Sequence, residues 1–196
     1  MADIVESKFR EWTQGKRLKE ARIAVFNQIR DIPYAVIPEL NDSSKYVKIL
    51  ETNRGSCTPK HFLLCNMFQR LGLQVLYVVY QYWWDEFANL YPPELKQQAR
   101  EMPLGNHLAC KVDIEGKLVL VDATLDPALA IVGLPVNKEW DGLSDTLLPI
   151  NPCSEEQLYY PSEANLIQIQ QFNDTTQAFY NGLNLWMELL RVKSCK

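Results

Sequence analysis

Residues 107–123 read HLACKVDIEGKLVLVDA and predict a β-hairpin. Apolar residues recur at alternate positions on both sides of the Glu115-Gly116 pair, which suits a two-residue turn. With that turn Ala109 faces Asp122, so His107 is a diagonal neighbour of Asp122 on the same face. We therefore expect a hydrogen bond between this imidazole and this carboxylate.

The opposite face of the predicted hairpin is apolar and indicates the side that the core covers. Its residues are Leu108, Cys110, Val112, Val119, Val121 and Ala123. A slip of one residue would turn this whole set toward solvent and would separate His107 from Asp122. A single register therefore satisfies both the apolar face and the polar pair.

Cys57 is the candidate nucleophile because the pattern places it at the start of a helix. The segment 53–56 breaks the chain before it, and the helix is expected to reach about Leu71, with Gly72 as its C-cap. A thiol in the first turn faces unpaired backbone N–H groups and the positive end of the helix dipole, and both lower its pKa. The alternative is an inert, small apolar residue, which is the commoner role of a cysteine.

A thiol nucleophile needs a base, and the chain has two histidines. If His107 is the base, Asp122 fixes its tautomer, the imidazole takes the thiol proton, and the thiolate attacks a carbonyl carbon. His61 is the alternative, because it lies one turn after Cys57 on the same helix. The catalytic residues that we predict are Cys57, His107 and Asp122.

Four further residues are candidates for contact with a substrate. The oxyanion of an attacked carbonyl needs donors, and the backbone N–H of Cys57 is the first, with Asn53 or Tyr34 as the candidate for the second. Trp83 and Trp84 follow a predicted strand and could form an aromatic platform for a substrate. Packing in the core is the commoner role of such a pair.

Distance argues against a zinc site on the Cys57 helix. Cys57, His61 and Cys65 recur at four-residue intervals on one helix face. At about 1.5 Å per residue the two thiols would stand about 12 Å apart along the axis, whereas zinc–ligand bonds are about 2.0 to 2.3 Å long. The sequence has neither a Cys-x-x-Cys pair nor a glycine-rich phosphate loop. We therefore expect no metal and no cofactor.

The remaining pattern places most of the helices before the hairpin and irregular chain after it. Helices are predicted at residues 3–30 (with Gly15 as a candidate break), 45–51, 57–71, 92–102 and 174–192, and a strand is predicted at 74–82. Residues 124–166 contain five prolines and are expected to be mostly irregular. Helices ahead of an antiparallel hairpin predict the α+β fold class.

The composition excludes several classes of protein. The chain of 196 residues is 47% apolar, which suits one domain with a substantial core. Its 20 Lys and Arg against 24 Asp and Glu leave a net charge of −4, so we expect no nucleic acid and no membrane as a partner. The N-terminus lacks an apolar signal core, and five cysteines make an odd count. Both features favour reduced thiols in a soluble, cytoplasmic protein.

The candidate site resembles the transglutaminase-like superfamily. The segment Arg54-Gly55-Ser56-Cys57, followed by Lys60 and a helix that ends in Leu71-Gly72, is similar to the nucleophile segment of that family. His107 and the stretch 122–124 resemble its histidine and aspartate strands, in the same chain order. The resemblance covers residues 30–126. The chain is too short for the extra β-domains of the calcium-dependent cross-linking enzymes. Calcium, cross-linking and the tryptophan that supports the oxyanion in those enzymes are therefore not implied.

The resemblance implies a fold and an activity. The fold is a single transglutaminase-like domain over residues 1–196, papain-like, in which the Cys57 helix packs on an antiparallel sheet and helices are added at both ends of the core. The activity is acyl transfer or amide hydrolysis through a Cys57 thioester, without a cofactor, on a peptide, a protein, or a small amide or ester. Hydrolysis and transfer both stay open, because water or an amine could reach the thioester.

A non-catalytic module on the same fold is the alternative function. The Trp83-Trp84 pair and the irregular stretch 124–166 could line a groove that binds a peptide or a partner protein. Such a module would not need an activated thiol, so the reactivity of Cys57 separates the two hypotheses.

Overall fold

The computed structural model describes residues 4–167 and 173–194. The described part of the chain begins with two helices, α1 (Ile4–Thr13) and α2 (Leu18–Arg30). They are separated at Gly15, whose φ of 72° is left-handed and ends the first helix. The predicted break in the first helical stretch is confirmed, while the start expected at residue 3 lies outside the described residues.

The segment before the candidate nucleophile consists of short turns. Two 3₁₀ turns, Pro38–Leu40 and Tyr46–Lys48, precede the short helix α3 (Ile49–Thr52). Helix α4 then runs over Cys57–Arg70, and Gly72 follows it with a φ of 79°. The predicted helix start at Cys57 is confirmed, whereas the C-cap is Leu71 and Gly72 is the left-handed residue directly after it.

In the described ranges, four antiparallel strands form one sheet in the order β3-β2-β1-β4. They are β1 (Val75–Tyr82), β2 (Gly105–Ile114), β3 (Lys117–Val121) and β4 (Gln157–Tyr159). Between β1 and β2 lie a 3₁₀ turn (Trp84–Phe87) and helix α5 (Pro93–Glu101). The chain is therefore of the α+β class, as predicted.

The hairpin of β2 and β3 has the predicted register. Cys110 pairs with Val121, and Ile114 pairs with Lys117 across the turn. The six residues of the predicted apolar face are all at most 2% exposed and belong to one core. Because that face is buried, a register slip would expose it, and the pairing is fixed by the core as well as by the turn.

The stretch that we expected to be irregular contains more structure than predicted. Strand β4 pairs with the edge of β1, where Tyr77 faces Tyr159. Two 3₁₀ turns, Pro127–Val132 and Pro161–Leu166, lie in the same stretch. The prediction missed the strand because three residues are too few to show an alternating pattern.

The sheet separates two hydrophobic cores. Helices α1, α2 and α4 cover one face and supply the first core, which includes Phe26, Phe62 and Phe68. The last helix, α6 (Asp174–Ser194), and α5 cover the other face with the second core, which includes Phe179 and Leu183. In the described ranges, none of the helices combines the length and the apolar character that crossing a membrane requires.

Candidate active site

The Cys57 thiol lies at the first residue of α4, where no side chain caps the helix. The hydroxyl of the N-cap residue Ser56 instead donates a hydrogen bond to Asn41 Oδ1 at 2.6 Å. The preceding Gly55 is held in a bridge with Tyr34. The unpaired N–H groups of the first turn are therefore left to the thiol and to whatever binds beside it.

His107 and Asp122 form the predicted pair. His107 Nε2 lies 2.6 Å from Asp122 Oδ2, and both side chains are buried. The second carboxylate oxygen, Oδ1, accepts the backbone N–H of Thr124 at 2.9 Å. Since Asp122 occupies Nε2, the ring nitrogen left for Cys57 is Nδ1.

The pKa of Cys57 is lowered and that of His107 is raised, and both shifts favour the charged form of the group. Burial acts to lower the pKa of His107, but the charge and hydrogen bond of Asp122, with a further contribution from Cys57, raise it to about 10. Burial acts to raise the pKa of Cys57, but a hydrogen bond and the positive charge from His107, together with the backbone N–H of Leu108, lower it. The site therefore favours a thiolate beside an imidazolium.

His61 is not placed to act as the base. Its Nε2 accepts the backbone N–H of Ala123 at 3.0 Å, so its Nδ1 carries the proton and donates it to the carbonyl oxygen of Cys57 at 2.8 Å. Both ring nitrogens are occupied, and burial lowers the pKa of the ring to about 4. The alternative that used His61 as base is therefore wrong, and this neutral ring instead joins α4 to the segment after β3.

Lys60 is a buried residue of the site region whose role sequence reasoning missed. Its ammonium group donates to the carbonyl oxygens of Arg30, Ile32 and Thr124 at 3.0, 2.8 and 2.6 Å. The three donors of the group are thus satisfied, while burial lowers its pKa to about 7. A lysine in the first turns of an otherwise buried helix was the signal that could have revealed this role.

Two small pockets flank the candidate triad. One, of about 30 Å³, is lined by Cys57 and by polar residues that include Asn41 and Ser56. The other, of about 40 Å³, is lined by His107 and mainly by aromatic and aliphatic side chains. The residues common to both pockets are Tyr34, Tyr82 and Trp84. These three aromatic side chains therefore form a wall between the two pockets.

The predicted substrate-contacting residues divide into two groups. Tyr34 and Trp84 are buried and line both pockets. Asn53 is exposed in a left-handed turn after α3, and Trp83 is 52% exposed. Neither Asn53 nor Trp83 lines either pocket. The structure thus brings Tyr34 and Trp84 to the triad and leaves the other two outside it.

The indole N–H of Trp84 is a buried donor that has no hydrogen-bond partner in the described part of the chain. A Cβ atom added at Gly105 would lie 3.0 Å from this nitrogen and 2.5 Å from the Tyr82 ring, so only glycine leaves both aromatic side chains in place. Because an unsatisfied buried donor is costly, Trp84 is a stronger candidate for an oxyanion donor than Asn53.

The described residues contain no group of three or more His, Cys, Asp or Glu side chains that could hold a metal ion. Comparison with family models, with curated proteins and with solved structures gave no match. The transglutaminase-like assignment therefore stays a proposal that the motifs support.

Proposed function

We propose that this chain is a thiol-dependent enzyme that forms a thioester on Cys57 and carries out acyl transfer or amide hydrolysis. The observation that carries the proposal is the contact of one imidazole with both partners. His107 is hydrogen-bonded to Asp122 at 2.6 Å, and it also lowers the pKa of the Cys57 thiol. An inert core cysteine does not require such an arrangement.

The reaction follows from the charges of the resting site. The Cys57 thiolate attacks the carbonyl carbon of an amide or ester, and a C–S bond forms while the carbonyl oxygen takes the negative charge. The backbone N–H of Cys57 and the indole N–H of Trp84 are the donors that we assign to that oxygen. The imidazolium of His107 then gives its proton to the leaving amine or alcohol as the C–N or C–O bond breaks.

The second half of the reaction returns the enzyme to its resting state. Neutral His107 takes a proton from water or from an acceptor amine, which attacks the thioester carbon. The C–S bond breaks, and the thiolate and the imidazolium form again. Asp122 keeps its charge throughout and holds the ring in one orientation.

The fold and the compartment belong to the same proposal. An α+β chain with a nucleophile helix packed on an antiparallel sheet is what a papain-like, transglutaminase-like fold requires. We propose the cytoplasm as the compartment, because a reducing environment keeps a nucleophilic thiol free. The substrates that fit are a peptide, a protein, or a small amide or ester.

The dependence of Cys57 alkylation on pH tests the proposal. We expect iodoacetamide to modify Cys57 at pH 6 at least ten times faster than it modifies free cysteine, because an ordinary thiol with a pKa near 8.5 is almost fully protonated there. Peptide mapping by mass spectrometry assigns the label to Cys57. The exposed Cys153 serves as a reference thiol within the same chain.

The Asp122→Asn variant supplies the second arm of this test. Loss of the carboxylate charge lowers the pKa of His107 and so raises that of Cys57, which slows alkylation at pH 6 about tenfold or more. Asp113→Asn, near the end of β2 beside the hairpin turn, is the matched control and should leave the rate unchanged. Equal rates for Cys57 and free cysteine across the pH range would rule out the activated nucleophile and favour the non-catalytic binding module.

A further inference from the structure

Helix α6 is apolar on two faces, and the described residues cover only one of them. Its inner face is buried in the second core and includes Phe179 and Leu183. Its outer face carries Leu185, Leu189 and Val192, whose exposed fractions are 64%, 53% and 60%. A surface helix ordinarily presents polar side chains to solvent, so an apolar outer face indicates contact with another molecule.

The outer face of α6 has the residue spacing of a coiled coil. Its six residues, which we call the α6 seam, are Thr175, Ala178, Gly182, Leu185, Leu189 and Val192. Steps of three and four residues alternate along this series, which is the repeat with which one helix packs along another. None of the six is buried in the folded chain. The occupant that this spacing fits is therefore another α-helix.

Residue size along the α6 seam identifies the partner helix as α6 of a second copy of this chain. The N-terminal half of the seam carries small residues, and the C-terminal half carries large ones. Two antiparallel copies, related by a two-fold axis that passes between Gly182 and Leu185, form three kinds of layer: Thr175 with Val192, Ala178 with Leu189, and Gly182 with Leu185 of the other copy. Each layer combines a small and a large side chain, so the seam is complementary to itself. A parallel pair would instead set glycine against glycine and leave a gap.

The two ends of the α6 seam carry opposite charges. Asp174 and Lys193 are both exposed, at the first and the next-to-last residue of α6. The antiparallel alignment brings Asp174 of one copy to the level of Lys193 of the other, and it sets opposite ends of the two helix dipoles side by side. A parallel alignment would bring like charges and like ends together. Charge therefore favours the same direction as residue size.

Helix α5 widens the surface that a second copy would cover. A groove between α5 and α6 is lined by Leu95 and Gln98 on one side and by Gly182 and Leu185 on the other. Because Gly182 has no side chain, the groove is open at the middle of the seam, where Leu185 of the other copy enters. The seam is about 26 Å long at about 1.5 Å per residue, and a helix is about 10 Å wide. With its α5 flank the surface offers about 1,000 Å² in total to a dimer, which suits a weak, reversible interface.

We infer that the α6 seam is a homodimer interface, in which two copies of α6 pack antiparallel about a two-fold axis. None of the six seam residues lines either of the pockets beside the candidate triad. The interface therefore lies outside the candidate active site, and the inference stands independently of the proposed function.

Sedimentation velocity of the full-length chain tests the inference. Between about 1 and about 500 µM, the average sedimentation coefficient should rise from the monomer value toward the dimer value. Leu185→Glu buries a charge at the centre of the interface and should weaken dimerisation about tenfold or more. Leu147→Glu, at a leucine outside α6 that is 62% exposed, is the matched control and should leave dimerisation unchanged. Circular dichroism verifies that both variants fold, and Ala178→Glu repeats the test if Leu185→Glu does not fold.

Disulfide cross-linking determines the direction of the two helices. Chains with Ala178→Cys are mixed with chains with Leu189→Cys and oxidised with copper phenanthroline, and mass spectrometry identifies the linked peptides. We expect a disulfide between position 178 of one copy and position 189 of the other, and its loss when both chains also carry Leu185→Glu. A main product that joins position 178 to position 178 would overturn the antiparallel packing. A chain that stays monomeric at every concentration, or a dimer that survives both Leu185→Glu and Ala178→Glu, would overturn the interface and leave the seam to a different partner.

Discussion

The two buried histidines differ in charge because different atoms surround their rings. Their centroids lie 6.2 Å apart, and both rings are near Asp122. The Asp122 Oδ2 atom lies 2.6 Å from His107 Nε2 but 4.0 Å from His61 Nε2. The backbone N–H of Ala123 occupies the latter nitrogen. Protonation of His61 would therefore disrupt a hydrogen bond, whereas protonation of His107 completes one.

His61 should make the fold sensitive to acid. Its pKa is about 4 in the folded chain against 6.5 for an unperturbed histidine. Between these values the unfolded chain binds a proton that the folded chain excludes, so stability falls as the pH is lowered from 6.5 toward 4. The contribution to the free energy of unfolding is up to about 1.4 kcal/mol per pH unit.

The His61→Gln variant tests this dependence, since glutamine can donate and accept but does not titrate. Urea unfolding at pH 4.5, 5.5 and 6.5 should give a shallower loss of stability in the variant than in the unmodified chain. The buried carboxylates make the same contribution to the pH dependence of stability in the variant and in the unmodified protein, so this contribution cancels in the comparison. Identical slopes for the two chains would show that His61 is already charged in the fold.

At the scale of elements, an ion pair joins helix α6 to the segment that carries Tyr34. Arg191 donates to both oxygens of Asp126, at 3.2 and 2.6 Å, and to the carbonyl oxygen of Tyr34 at 2.8 Å. Asp126 in turn accepts the backbone N–H of Tyr34 at 2.9 Å. The resemblance ends before α6, yet this helix fixes the backbone of a residue that lines both pockets.

Arg191→Met should therefore loosen the Tyr34 segment. Removal of one partner leaves Asp126 buried without its counter-charge, which we expect to lower the free energy of unfolding by about 3 kcal/mol. Hydrogen exchange measured by NMR should show a less protected Tyr34 amide. Lys193→Met, an exposed position on the same helix, is the control and should change stability by less than about 0.5 kcal/mol. If the Tyr34 amide is equally protected from exchange in Arg191→Met, then α6 does not hold this segment of the site in place.

At the scale of the whole molecule, the candidate site lies where the two cores meet. Helix α4 carries Cys57 and packs into the first core, while Tyr34, Tyr82 and Trp84 belong to the second. The four-stranded sheet supplies residues to both cores. Neither core can be lost without removing one side of the sheet, so we expect the two to unfold together.

A single unfolding transition is the measurable consequence. Trp12 and Trp140 report the first core, and Trp84 and Trp186 report the second. In variants that keep the tryptophans of one core and replace those of the other with phenylalanine, the fluorescence transition in urea should coincide with the loss of far-UV circular dichroism. An earlier fluorescence transition in either variant would indicate two independent units.

Local pattern was sufficient for the hairpin and for the nucleophile helix. The pairing of β2 with β3 crosses only two residues, so alternation and turn chemistry specify it without help from distant chain. The start of α4 at Cys57 follows from the break before it, and Gly72 marks its end. These features depend on residues that are close in sequence, so they can be predicted from the sequence itself.

The contacts between residues far apart in sequence are visible only in the tertiary structure. Trp84 is buried because Phe179 and Tyr180 of α6 pack on it, with ring centroids 5.2 and 5.5 Å away, while the adjacent Trp83 remains exposed. The occupied nitrogens of His61 depend likewise on the segment after β3. Burial and hydrogen bonding are properties of neighbours in space, and packing brings those neighbours from positions that no local pattern connects.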